Sequence, residues 1–162
     1  MATIVLFCAL LLAASAVHKA TSRERLATAT AKLAGTGALG GQLLLIVAGT
    51  AEIVAAACLL IEPLRMAGAL IAAMLWAGYA LALARRHGET LDCGCDLAAR
   101  AKPVKWALVL RSAALALLAG GIALLPSAPF TLDAPFAAAG LLALYIGASE
   151  ILAIPSPQWK TA

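Results

Sequence analysis

Charge is the scarcest commodity in this 162-residue chain: Asp, Glu, Lys and Arg make up 12% of it, against 64% hydrophobic residues and a mean hydropathy of +0.98. So little charge excludes a water-soluble domain and places the chain in a bilayer. No alternating apolar pattern of about ten residues recurs, which excludes a membrane barrel. Also absent are a phosphate-cradling glycine loop, a Ser/His/Asp constellation, a haem-attachment motif and an internal repeat of the transporter kind. What remains is a hydrophobic chain with four cysteines, 12 basic residues and eight acidic ones.

About 20 mainly apolar residues cross roughly 30 Å of hydrocarbon. Five runs are long enough, at about 2–18, 38–61, 64–84, 104–125 and 134–154. Backbone groups in lipid must be satisfied within the segment, so these runs are helices. The expected fold is an all-α integral membrane protein, a single bundle of four to five transmembrane helices over residues 1–162, with five the favoured count. Four is the count if the first run is a signal peptide, because Ala14-Ser15-Ala16 has the form of a cleavage site. No Lys or Arg precedes that run, however, so the reading keeps it as a helix. Glu62-Pro63 marks a tight connection, Pro126, Pro129 and Pro135 fence the last one, and Pro103 is expected in the first turn of the fourth span. Trp106 and Trp159 fit an interfacial aromatic belt.

Small residues are expected where helices meet: Gly37 and Gly41, Gly49, and Gly140 with Gly147. The first connection, His18 to Thr36, mixes Leu26, Leu33 and Ala with Lys and Arg and reads as an amphipathic surface segment.

Loop charge sets the orientation. Lys19, Arg23, Arg25, Lys32, Arg85, Arg86, Arg100, Lys102, Lys105 and Lys160 fall on one face, and Arg65 alone on the other. The positive-inside rule then puts the amino terminus outside and the loop after the third span in the cytoplasm of a cell whose inner (plasma) membrane holds the chain. The pI of about 9.1 therefore needs no nucleic-acid partner; these charges favour anionic lipid head groups.

That third loop carries Asp92-Cys93-Gly94-Cys95-Asp96. Two cysteines one residue apart close only a strained ring, and strained, reachable disulfides are the exchangeable ones. Arg85, Arg86, His87 and Arg100 favour thiolate while Asp92 and Asp96 oppose it. Three functions fit: a thiol–disulfide oxidoreductase component using Cys93 and Cys95; a soft-metal carrier using Cys93, Cys95 and His87; and an accessory subunit of a larger membrane complex in which the pair is incidental.

Ionisable residues inside spans are costly unless paired or wet. Arg111 and Glu150 are expected at depths differing by about 4 Å, close enough to pair if their helices adjoin. Glu52 is expected toward the external half of the second span. Cys58 lies beyond it and Cys8 at similar depth, so Cys8 and Cys58 are candidates for a second dithiol with Glu52 as proton acceptor, although cysteine is also a good small core residue.

His18-Lys19, Glu52, Glu62-Pro63-Leu64-Arg65, Gly68, the stretch Gly88-Glu89-Thr90-Leu91-Asp92-Cys93-Gly94-Cys95, Trp106 and Arg111 together resemble the methylamine utilisation MauE family, related to DoxX-like membrane proteins. The resemblance implies a helical membrane factor that assists disulfide formation in a periplasmic methylamine dehydrogenase small subunit, with a thioredoxin-like MauD-type partner. It firmly implies no cofactor; a quinone is compatible with its redox chemistry. The chain departs from the family pattern in two places: Asp96-Leu97 stands where Phe-Gly commonly follows the second cysteine, and Ser112 follows Arg111 where Asn is common.

Overall fold

The computed structural model describes residues 1–91, 102–126 and 131–152. Six helices run through them: α1 (Ala2–Thr21), α2 (Arg23–Ala34), α3 (Ala38–Leu60), α4 (Arg65–Arg85), α5 (Trp106–Leu124) and α6 (Ala134–Leu152). All but α2 are long and apolar enough to cross a membrane, which bears out the five-span helical bundle. Their outward surfaces are apolar, with Leu39, Val47, Met74, Leu117, Phe136 and Leu144 among the exposed large side chains. Such an exterior suits hydrocarbon and would be a liability in water.

α1 is a working member of the bundle. Its Phe7, Cys8, Leu11 and Leu12 share a core with Ala55 and Leu59 of α3, Ala69, Ala72 and Trp76 of α4, Leu115 and Ala119 of α5, and Ala138 of α6. α4 packs most extensively on α5, α3 on both α1 and α4, and α6 on α1. A single 3-10 turn, Glu62–Leu64, joins α3 to α4, as its proline foretells.

The amphipathic first connection is the helix α2, which keeps Arg23, Glu24 and Lys32 outward and buries Leu26, Ala27 and Ala31. It breaks from α1 at Ser22 and ends at Gly35, whose φ of 69° supplies the left-handed C-terminal cap. Leu26 and Ala27 pack on Leu45, and a Cβ on Gly41 would strike Ala27 O and Ala31. The opening turns of α3 are thus taken by α2, and α1 lies against its later turns.

Of the glycines expected at helix contacts, Gly41 is at one. Gly37, Gly49, Gly140 and Gly147 face open space, with nothing within 4 Å of a built Cβ. Gly68 is the second true crossing point: its Cβ would meet Leu59 N at 2.7 Å, Cys58 Cβ at 2.8 Å and Ala55 O at 2.9 Å. Spacing alone does not locate such contacts, because the phase of a helix against its neighbour is a tertiary property.

Pro103 is not in a helical turn. It belongs to β2 (Lys102–Pro103), which pairs antiparallel with β1 (Thr90–Leu91), Thr90 opposite Pro103 and Leu91 opposite Lys102. Gly88 N–H donates to Val104 O at 3.0 Å and Val104 N–H to Glu89 O at 2.9 Å, extending the ladder to the foot of α5. The backbone of Val104 is committed to this hairpin, so α5 starts only at Trp106.

Candidate functional site

Cys93 and Cys95, with Asp92, Asp96 and Arg100, lie outside the described residues. The stem that carries them does not. Val104 is fully buried beside Leu83, Ala80 and Val109, with Leu33 of α2 packed against them. Arg86 ties the stem to α2: its Nε donates to Leu33 O at 3.4 Å, and its Nη1 lies 3.2 Å from Glu89 Oε1. His87 stacks on Trp106 with ring centroids 4.9 Å apart. Gly88, at φ 86°, makes the turn from α4 into β1. The thiol-bearing segment is therefore held between fixed feet at the end of the bundle where α2 also ends. Arg86→Ala is expected to speed hydrogen exchange of the Gly88 and Val104 amides by several-fold. The helices should stay unaffected, in keeping with about 1 kcal/mol for a largely exposed charged contact.

A second polar constellation lies inside the bundle. Lys19 of α1 and Glu52 of α3 form a buried salt bridge, Nζ to Oε1 at 2.7 Å and to Oε2 at 2.9 Å. Glu52 is 1% exposed and Lys19 8%. Ser15, one turn before Lys19 on the same face of α1, accepts from Lys19 Nζ at 2.7 Å and donates to Glu52 Oε1 at 3.0 Å. Tyr79 of α4 donates to the same oxygen at 2.8 Å, and the Lys19 ammonium sits 5.4 Å from its ring centroid. Glu52 thus gathers two hydroxyls and an ammonium from two neighbouring helices. This satisfaction is what makes a charge tolerable away from water.

Arg111 of α5 faces this cluster across a cavity of about 20 Å³ lined by Leu11, Ser15, Trp76, Tyr79, Arg111, Ser112, Leu115 and Tyr145. A water needs roughly 10 to 15 Å³ and two to four polar partners, so the space suits one water. The Arg111 guanidinium lies 5.5 Å from the Tyr145 ring centroid, and Tyr145 meets Phe7 edge-on at 6.0 Å.

Two expectations need correcting. Lys19 does not emerge with the loop charges; α2 occupies the start of α3, which brings the end of α1 level with Glu52. Discounting Lys19 leaves nine of the ten basic residues in the sequence count, against Arg65. Nor do Arg111 and Glu150 pair among the described residues: Tyr145 takes the position beside Arg111. At about 100° per residue, Glu150 points roughly 140° away from Tyr145 around α6. Cys8 is buried in the core, Cys58 sits half-buried with its Cβ toward Gly68, and both are free thiols. Among the described residues, no group of three or more His, Cys, Asp or Glu side chains could hold a metal.

Ser15, Tyr79 and Tyr145 were not legible as site residues. A signal did exist: Cys8, Leu12, Ser15 and Lys19 lie at helical spacings of three and four, a polar end to an apolar stripe. An acid in a span also demands a partner, and Lys19, at the end of a neighbouring span, was one of the basic residues available.

The chain matches the methylamine utilisation protein MauE family over residues 1–126. It is 34% identical to the methylamine utilization protein MauE of Paracoccus denitrificans over 164 residues, 94% of this chain and 87% of that protein. The chain belongs to the MauE family. MauE of Methylorubrum extorquens is 44% identical over 85 residues, 49% of this chain and 46% of that protein, so that match spans under half of the relative's length. No solved structure matches. Glu52, Lys19, Tyr79 and Arg111 all fall within the residues matched by the family model, whereas Tyr145 lies past residue 126, where the match to MauE of Paracoccus denitrificans continues.

Proposed function

We propose that this chain is a membrane thiol–disulfide exchange factor of methylamine utilisation, acting on a thioredoxin-like partner through Cys93 and Cys95. One observation carries the reading: in a member of the MauE family, the stretch containing Cys-Gly-Cys is inserted between two paired strands whose feet are packed on α2, α4 and α5. A firmly footed, polar, thiol-bearing insertion fits exchange with a protein substrate. In the exchange, one thiolate of the pair attacks the partner's disulfide, forming a mixed disulfide and releasing a partner thiolate. The second thiol of the pair then displaces the remaining partner sulfur. The Cys93–Cys95 bond forms, the partner's bond is lost, and two electrons and two protons pass to the partner. The reverse direction uses the same steps, and the two reduction potentials decide between them. The final protein substrate under this reading is a periplasmic dehydrogenase small subunit.

Cys95→Ser is expected to trap a mixed disulfide between Cys93 and the thioredoxin-like protein, visible on non-reducing gels and absent from Cys93→Ser/Cys95→Ser. Failure of either single variant to trap a partner, together with no redox titration of the pair, would overturn the reading. An impermeant thiol reagent applied to each side of sealed vesicles tests sidedness. Labelling from inside is expected from the charge bias, and labelling from outside would let the pair serve periplasmic proteins directly.

A further inference from the structure

A buried ion pair in a membrane protein is expensive, and nothing in the thiol exchange above uses this one. Lys19 and Glu52 would be replaced at little loss by apolar side chains if packing were their only role. The hydrogen bonds that make the pair tolerable also lead to a cavity, which a structural pair does not require. Both oxygens of Glu52 are engaged, and Ser15 bridges the two charged groups, accepting from one and donating to the other. Ser15 also lines the cavity, where Ser112, Tyr79, Tyr145 and Arg111 converge from three other helices.

We propose that this cluster is a proton-exchange site: one water in the cavity passes a proton through the Ser15 hydroxyl to Glu52. Ser15 Oγ accepts from Lys19 with one lone pair and has a second for the water. When a protonated water donates to that oxygen, the hydroxyl proton already directed at Glu52 Oε1 moves onto the carboxylate. One proton enters and no electrons move. The Lys19–Glu52 pair goes from net neutral to net positive, and release is the reverse. Arginine keeps its protons, so Arg111 across the cavity orients the water and sets the local field. The groups that face Glu52 are Lys19 from α1, Tyr79 from α4 and, across the cavity, Arg111 from α5 and Tyr145 from α6. Protonation leaves Lys19 without its counter-charge, so uptake loosens α1 from α3.

The full chain in lipid nanodiscs, followed by infrared difference spectroscopy after a pH jump, tests the proposal, with Glu52→Gln identifying the Glu52 bands. The wild-type carboxylate band is expected to convert reversibly to a carboxylic-acid band. Ser15→Ala, which keeps the ion pair but removes the relay hydroxyl, is expected to slow conversion by about tenfold or more, the effect of about 1.4 kcal/mol on the barrier. Leu115→Phe, which replaces no polar group and fills the space the water would take, should slow it similarly. Circular dichroism establishes that each variant is folded. A Glu52 band that never converts, or conversion at the wild-type rate in both folded variants, would overturn it. The thiol reading is independent, since Cys93→Ser/Cys95→Ser should leave these spectra unchanged.

Discussion

Lys19→Met is expected to destabilise the bundle by about 3 to 5 kcal/mol, the range found when one partner is removed from a buried ion pair. The cause is Glu52, which would stay 1% exposed with two hydroxyl donors and no cation. The double variant Lys19→Met/Glu52→Gln should recover most of the loss, since the amide is neutral and its carbonyl still accepts from Ser15 and Tyr79. Unfolding in mixed micelles, arranged as a double-mutant cycle, measures both. Equal losses for the single and double variants would show that Lys19 matters through its packed stem and that the charge pair is incidental.

The second large effect concerns one methyl group. Gly68→Ala places a Cβ 2.7 Å from Leu59 N and 2.9 Å from Ala55 O, both backbone atoms of α3 that no rotamer change can move. α3 and α4 must separate, and overpacking of this kind costs about 1 to 3 kcal/mol. Gly78→Ala on the same helix meets nothing within 4 Å and is expected to stabilise by about 0.5 to 1 kcal/mol, the ordinary gain of alanine over glycine in a helix. Opposite signs for two identical substitutions ten residues apart would isolate the α3–α4 crossing as the cause. A neutral Gly68→Ala would mean that the two helices slide freely.

Much of this molecule could be read before its structure was known, because the bilayer is a demanding solvent. Residues that must satisfy their own backbone in hydrocarbon write long apolar runs, and the five spans fall where those runs are, within a few residues. The α2 segment was legible from Leu26 and Leu33 set among Arg and Lys. Lys19 was misread because a basic residue near the end of a span looks the same whether it meets head groups or a carboxylate. Which applies depends on how far α1 slides along α3, and α2 sets that slide. Pro103 was misread for a related reason: a proline before an apolar run marks a helix start by local rules, and only the pairing with Thr90 draws it into a strand. The Arg111–Glu150 expectation rested on depth along two helices and had no access to the rotation of α6 or to its offset along α5.

The Lys19–Glu52 bridge also bears on how the chain is made. The two residues are 33 positions apart, with all of α2 between them. When α1 leaves the ribosome it carries a cation that, at the depth it takes in the finished bundle, has no counterpart in hydrocarbon, and the acid that neutralises it has yet to be synthesised. The first helix therefore has no comfortable resting place alone. It should linger at the insertion machinery until α3 emerges, and the two should pass into the bilayer together.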